Sequence, residues 1–234
     1  MKTIFLILLL PFSTAFAQKK KPVKTKPTAS KTQAMNSIDS LSYSIGVQVA
    51  EYYKGTQNVD KINPEYVKKA IIDVYNNKPL TIQEEQANMC IQTKLQEFMA
   101  NKIKAVKDSG NKFLEENKKK PGVVTLPDGM QYEIITKGTG PIPTAIDTVN
   151  ANYIGTLIDG KEFDNSYKRG EPLTIPVTGV IRGWTEALQL MPVGSKWKLY
   201  IPSDLAYGDR GAGGVIPGGA TLIFTIELLD IVNK

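Results

Sequence analysis

Apolar residues recur at spacings of three and four from residue 36 to about 119, then give way to short strand-like runs separated by turn signals. Ile38, Leu41, Ile45, Val49 and Tyr52 define one face of a first helix. Asn36 is placed to cap it, with Asp39 three residues on in a capping-box-like arrangement. Gly46 falls inside this helix at a cost of ~1 kcal/mol relative to alanine. Close approach of a second helix would account for it; tolerance of an imperfect helix is the alternative. A second helix opens on Asn63-Pro64-Glu65, a cap followed by proline at the first helical position and an acid in the first turn. Val67, Ala70, Ile71 and Val74 form its expected buried face, and Asn76-Asn77-Lys78-Pro79 stops it.

A third helix is expected to open on the capping box Thr81-Ile82-Gln83-Glu84, and neither proline nor glycine follows before Gly110. Running from Ile82 to Asn117 it would be about 54 Å long. Its apolar positions (Ile91, Leu95, Phe98, Met99, Ile103, Val106) are dense at first and then thin out. The second half therefore reads as a projecting stalk with little core to lie on, and Gly110 as a kink or weak point. Three such helices carry more apolar face than they can hide from one another, and pairing with a second copy is the expected remedy. Beyond Lys118-Lys119-Lys120-Pro121-Gly122 the strand candidates are 130–137, 148–158, 172–177, 195–201 and 220–232. Asp159-Gly160 reads as a hairpin turn, and a short helix fits 183–190.

The N-terminus has its own pattern. Lys2, the apolar run Ile4 to Pro11 and Ala15-Phe16-Ala17 read as a cleaved secretory signal over residues 1–17. The run is shorter than the ~20 residues needed to span a bilayer. Residues 18–35 form a Lys/Pro/Thr/Ser-rich linker with too few apolar residues to fold. It reads as a solvated tether, or more sharply as a weak contact with anionic envelope polymers or lipid. Lys2 and the six lysines between Lys19 and Lys31 carry the whole basic excess: with these seven set aside, the formal charge of +6 becomes −1 for residues 33–234. A nearly neutral folded part argues against nucleic-acid binding. No histidine is present, which excludes His-based triads and His-ligated metals. Cys90 is the only cysteine, so an intrachain disulfide is excluded; its helical setting predicts a small buried hydrophobe. No cofactor or metal site is expected.

The chemistry concentrates around Val180-Ile181-Arg182-Gly183-Trp184. Upstream stand Tyr153-Ile154-Gly155 and Gly160-Lys161-Glu162-Phe163-Asp164; downstream stand Tyr207-Gly208, Ile216-Pro217 and Ala220-Thr221-Leu222-Ile223-Phe224. These ordered segments together resemble an FKBP-type peptidyl-prolyl isomerase domain, over residues 121–234. Residues 37–120, with Tyr43-Ser44-Ile45-Gly46, resemble the N-terminal dimerisation domain of macrophage-infectivity-potentiator-type FKBPs. The resemblance implies an α+β chain: an all-helical dimerisation domain and long stalk helix over residues 36–120, then a twisted antiparallel sheet wrapped around a short helix over residues 121–234. It also implies a V-shaped homodimer.

Carried over position by position, Trp184 would form the floor under a proline ring. Tyr153, Phe163, Phe224, Val180 and Ile181 would line the walls. The Ile181 N–H and the Tyr207 hydroxyl would bond substrate carbonyls, Asp164 would polarise the pocket edge, and Ile216 would close over the peptide. Asp164, Tyr207, Phe163 and Trp184 are thus the implied catalytic residues, and Tyr153, Val180, Ile181, Ile216, Phe224 and Leu173 the implied substrate-binding ones. Each has a plainer reading: aromatics on strands serve as ordinary core, Asp164 before Asn165-Ser166 as a turn cap, and Tyr207 as a surface residue. Leu173 stands where many relatives carry phenylalanine, the segment from Pro172 to Val180 is short, and Ala212 replaces a frequent histidine. Leu173 leaves the cup shallower on one side, and macrolides of the rapamycin type are candidate inhibitors. The glycine-rich run 209–214 lacks the Gly-Lys-Ser/Thr ending of a phosphate loop and reads as a flap. The expected function is isomerisation of X–Pro bonds in unfolded or proline-containing polypeptides, in the periplasm or outer envelope of a bacterium. The rival is a non-catalytic chaperone that holds clients in the cleft between the arms.

Overall fold

Asn36 does cap the first helix. In the computed structural model, which describes residues 35–57 and 59–232, its side chain accepts the Asp39 N–H at 2.8 Å at the head of α1, Ser37–Glu51. The expected signal at 1–17 and almost all of the linker at 18–35 lie outside the described residues. The described chain falls into two compact units that divide between Tyr53 and Lys54. In the first, the apolar face of α1 is uncovered: Ile38, Leu41, Ile45 and Val49 are all exposed. Among the described residues nothing lies within 4 Å of a β-carbon built on Gly46.

The second unit begins with α2, Pro64–Tyr75, where Asn63 accepts the Glu65 N–H at 3.0 Å. The helix stops as expected, with Asn77 in the left-handed region at φ 50°. Its expected buried face differs, because Val67, Ile71 and Val74 are exposed and Asp73 is the buried residue, held in an ion pair with Lys69. The long helix α3, Glu84–Asn117, is capped by Gln83 rather than Thr81; the Gln83 N–H donates to Gln86 Oε1 at 3.4 Å.

Two expectations about α3 are corrected. Its apolar-dense first half is the uncovered one, with Met89, Phe98 and Met99 exposed, and Cys90 is exposed as well, not the buried hydrophobe its helical setting predicted. Its sparse second half has a core to lie on. Leu114 is buried, the Phe113 ring lies 5.9 Å from that of Tyr200, and Asn117 donates to Gln131 Oε1 at 2.9 Å while Gln131 donates to the Leu114 carbonyl at 2.9 Å. Gly110 is a contact point and not a kink: the helix runs through it unbroken, and a β-carbon there would stand 2.3 Å from Thr221 Oγ1.

Seven strands follow, all paired antiparallel: β1 Val123–Thr125, β2 Gln131–Thr136, β3 Thr148–Leu157, β4 Glu162–Asn165, β5 Leu173–Pro176, β6 Lys196–Ile201 and β7 Leu222–Ile231. Their order is β1-β2-β6-β7-β3-β4, with β5 added to β3. Two short helices, α4 Ser166–Arg169 and α5 Arg182–Leu188, complete the unit. Alternation along β3, β6 and β7 sends Val149, Ala151, Leu199, Ile201, Leu222, Ile226 and Leu228 to one fully buried face, against Ala187 and Leu188 of α5. Gly183 sets the depth of α5: a β-carbon there would meet Ile201 Cγ2 at 2.6 Å, so only glycine lets the helix sit this close to β6.

Candidate active site

Helix α5 starts where the backbone of Ile181 leaves the extended region (φ −60°, ψ 150°), and the Ile181 carbonyl accepts the N–H groups of Trp184 and Thr185 at 2.9 and 3.1 Å. This first turn, drawn onto the sheet by Gly183, drives the Trp184 ring inward until only 3% of the residue is exposed. Tyr153 of β3 and Phe224 of β7 point from the inner face toward it. The Tyr153 and Phe224 ring centroids lie 5.0 and 5.2 Å from that of Trp184, at interplanar angles of 87° and 86°. Phe163 of β4 meets Phe224 edge-on at 5.5 Å. Such edge-to-face contacts are the favoured arrangement of aromatic quadrupoles. Gly155, two residues after Tyr153 on the same face, makes room for them: a β-carbon there would lie 2.6 Å from the Phe163 ring and 2.9 Å from that of Phe224.

The cup opens into a cavity of about 560 Å³ lined by all ten residues singled out in the sequence: Tyr153, Phe163, Asp164, Leu173, Val180, Ile181, Trp184, Tyr207, Ile216 and Phe224. Ala212 and Gly213 of the expected flap line it too, together with residues that sequence reasoning did not single out: Ile175, Gly179 and Val215. The volume suits a small cyclic side chain with its neighbours. Among the described residues no acceptor takes the Ile181 N–H, so a backbone donor is left at the cavity wall.

Polar groups gather at one edge. The Tyr153 hydroxyl donates to the Asp164 carboxylate, and Asp164 Oδ1 accepts the Asn165 N–H at 2.8 Å. Arg169 closes the cluster: its guanidinium pairs with Asp164, its Nη2 donates to the Tyr153 oxygen at 3.0 Å, and its plane lies 5.3 Å from the Tyr153 ring centre. Arg169 was not anticipated. It reaches Asp164 only because α4 turns the chain back, with Asn165 capping that turn and the buried Ser166 hydroxyl accepting the Tyr153 N–H at 2.9 Å and donating to Asn152 at 2.9 Å. Burial, and then the bond to Asp164, push the Tyr153 hydroxyl above its ordinary range; burial, and then the charge of Asp164, do the same to Tyr207. Both phenols therefore keep their protons at neutral pH and remain donors.

Nothing in this arrangement is a nucleophile poised beside a base. It is an apolar cup with a few fixed donors and one carboxylate, suited to gripping a ring and its flanking carbonyls. Residues 140–229 match the family described as FKBP-type peptidyl-prolyl cis-trans isomerase, and residues 38–134 match the domain amino-terminal to it. The outer membrane protein MIP of Legionella longbeachae is 46% identical over 200 residues, covering 82% of this chain and 85% of that protein. The FKBP-type 22 kDa peptidyl-prolyl cis-trans isomerase of Escherichia coli K12 is 42% identical, covering 86% of this chain and 99% of the relative. The crystal structure of FkpA from Escherichia coli superposes with a TM-score of 0.66 at 35% identity, over 84% of this chain and 97% of that one. The fold, the aromatic cup and these relatives agree, and the chain belongs to the FKBP-type peptidyl-prolyl cis-trans isomerases, enzymes that interconvert the cis and trans forms of X–Pro bonds.

Proposed function

We propose that the aromatic cup is where this isomerase twists the X–Pro bond, acting on proline-containing segments of exported proteins as they fold. The observation that carries the assignment is the joint one: four aromatic rings packed around one cavity, with a carboxylate and two protonated phenols at its rim. Amide resonance opposes rotation with a barrier of ~18–20 kcal/mol. In the twisted state conjugation is lost and the proline nitrogen becomes pyramidal, so charge separation across the amide falls. A dry apolar cup favours that state over the planar one, provided the ring is held firmly. Trp184 is the floor; Tyr153, Phe163, Phe224, Val180, Ile181 and Leu173 are the walls. The Ile181 N–H and the Tyr207 hydroxyl hold the flanking carbonyls, Asp164 polarises the rim, and Ile216 covers the peptide.

Cis-to-trans isomerisation of a proline tetrapeptide tests the assignment. Tyr207→Phe removes one hydrogen bond, worth about 0.5–1.5 kcal/mol or roughly two- to tenfold in kcat/KM. Asp164→Leu is expected to cost at least as much. Unchanged rates in both folded variants would overturn the roles of Tyr207 and Asp164. Macrolides of the rapamycin type would occupy the same cup, contacting Leu173 on its shallower side.

Residues 36–120 serve to pair two copies, and residues 121–234 form the isomerase domain proper; the uncovered apolar residues of α1, α2 and the first half of α3 support the pairing. The chain works in the bacterial envelope. Its N-terminal pattern supports this, as does the name of the Legionella relative, an outer membrane protein. A mature N-terminus at Gln18 in the envelope fraction is the corresponding check.

A further inference from the structure

The loop between β6 and β7 delivers two of the cup's residues, Tyr207 and Ile216, and it is itself a small closed hairpin. At its tip Ala212 and Ile216 exchange backbone hydrogen bonds at 3.0 Å in both directions; at its base the Gly219 N–H donates to the Gly208 carbonyl at 2.9 Å. Tyr207 stands immediately before that base. The hairpin's own backbone is glycine-heavy, with Gly208, Gly211, Gly213, Gly214 and Gly219 all at positive φ. Such a segment loses much conformational entropy on ordering and is weakly held by its own side chains. Something outside it must fix where Tyr207 and Ile216 point.

Helix α3 meets this base at three successive turns. Lys107 Nζ lies 2.7 Å from Asp209 Oδ1 and 3.3 Å from Asp204 Oδ1, spanning the two short 3-10 turns, Ser203–Leu205 and Gly208–Arg210, on either side of Tyr207. One turn earlier, Ile103 is so close to the far strand of the hairpin that a β-carbon on Gly219 would stand 2.8 Å from its carbonyl oxygen, and one on Gly218 3.2 Å from its Cγ1. One turn later, Gly110 admits Thr221. Below these contacts Leu114 and the Asn117–Gln131 bonds fasten α3 to the sheet.

We propose that the 103–110 segment of α3 is a positioning element of the isomerase site, a clamp on the base of the 208–219 hairpin that sets Tyr207 and Ile216 against the cup. Lys107 and Gly110 are its principal positioning residues. Neither lines the cavity, so their influence on substrate runs through the loop. The inference rests on the proposed assignment of Tyr207 and Ile216 to substrate binding.

The test compares the full-length protein with Lys107→Met, Lys107→Arg, Gly110→Ala, Gly110→Ala combined with Thr221→Ala, Tyr207→Phe and Ile216→Ala. Isomerisation of proline tetrapeptides with leucine or phenylalanine before the proline is measured, alongside hydrogen exchange at the Gly219 amide. Exposed ion pairs are individually weak, so Lys107→Met should lower kcat/KM by only about two- to fourfold, with Lys107→Arg close to wild type. Overpacking at Gly110 lifts the helix off Thr221 and should cost about tenfold, with part recovered when Thr221→Ala removes the opposing hydroxyl. In both deficient variants Gly219 exchanges faster while amides of β6 and β7 keep their protection, which a general loss of stability would not produce. Unchanged kcat/KM and Gly219 exchange in Lys107→Met and Gly110→Ala, with Tyr207→Phe impaired, would overturn the clamp. If Tyr207→Phe and Ile216→Ala themselves leave catalysis intact, the site assignment fails, and Gly219 exchange alone decides whether α3 holds the hairpin.

Discussion

Arg169 is the residue that most changes how the pocket edge works. It touches Asp164, the Tyr153 hydroxyl and the Tyr153 ring face at once. Tyr153 and Asp164 therefore cannot swing independently, and the carboxylate is kept beside the cup. Arg169→Met keeps much of the aliphatic stem and removes the fork. Because the pair is about two-fifths exposed on each side, the loss is screened. The expected result is a fall in kcat/KM of about three- to tenfold with little change in Tm, since the charge-assisted bonds act on a site and not on the core. Equal activity in the variant would show that Tyr153 and Asp164 hold their places unaided. Neither this residue nor Ser166 was legible beforehand, because a five-residue separation across a turn has no periodicity to betray it. The aromatics were legible, since their ordered spacing is a property of the chain.

At the level of elements, α5 and the turn between β1 and β2 meet through two carboxylates. A hydrogen bond with Asp128, reinforced by partial burial and only partly opposed by Arg182, raises the Glu186 carboxyl from its usual 4.5 to about 7. The folded state thus binds a proton there that the unfolded chain releases at lower pH. The stabilisation is complete below the usual carboxylate range and is lost as pH rises through about 7. Glu186→Gln should therefore raise Tm relative to wild type at pH 8 and leave it nearly unchanged at pH 5. A uniform shift at both values would remove the carboxyl pair as the cause. Element existence was well predicted: five of the seven strands and all three long helices stand within a few residues of expectation. The three-residue β1, the four-residue β4 and the single-turn α4 were missed, being too short for any period to register.

For the molecule as a whole, the proposed pairing through residues 36–120 follows from surface that water would otherwise wet. Ile38, Leu41 and Ile45 in α1, and Met89, Phe98 and Met99 in α3, are large apolar side chains of which 45% or more remains exposed. Sedimentation should find a dimer, and Leu41→Glu with Ile45→Glu should shift it to monomer. Tetrapeptide turnover per chain should then stay within about twofold, because each cup is built from one chain, while folding of a large client slows through lost avidity. A wild-type monomer at micromolar concentration would end the pairing proposal.

Composition and period alone determined that this chain is helical first and built of short strands second, that its folded part is nearly neutral, and that its chemistry needs no histidine or disulfide. The ordered aromatic segments carried the family and its cup, because those residues act by type and spacing. Only the tertiary structure decided which half of α3 lies on the sheet. The apolar-dense half is exposed in this chain, and the packed half is held by an absent β-carbon at Gly110, an amide pair at Asn117–Gln131 and a lysine between two aspartates. Close approach and polar pairing leave no hydrophobic signature in a sequence, since they depend on which surfaces meet and not on how apolar either surface is.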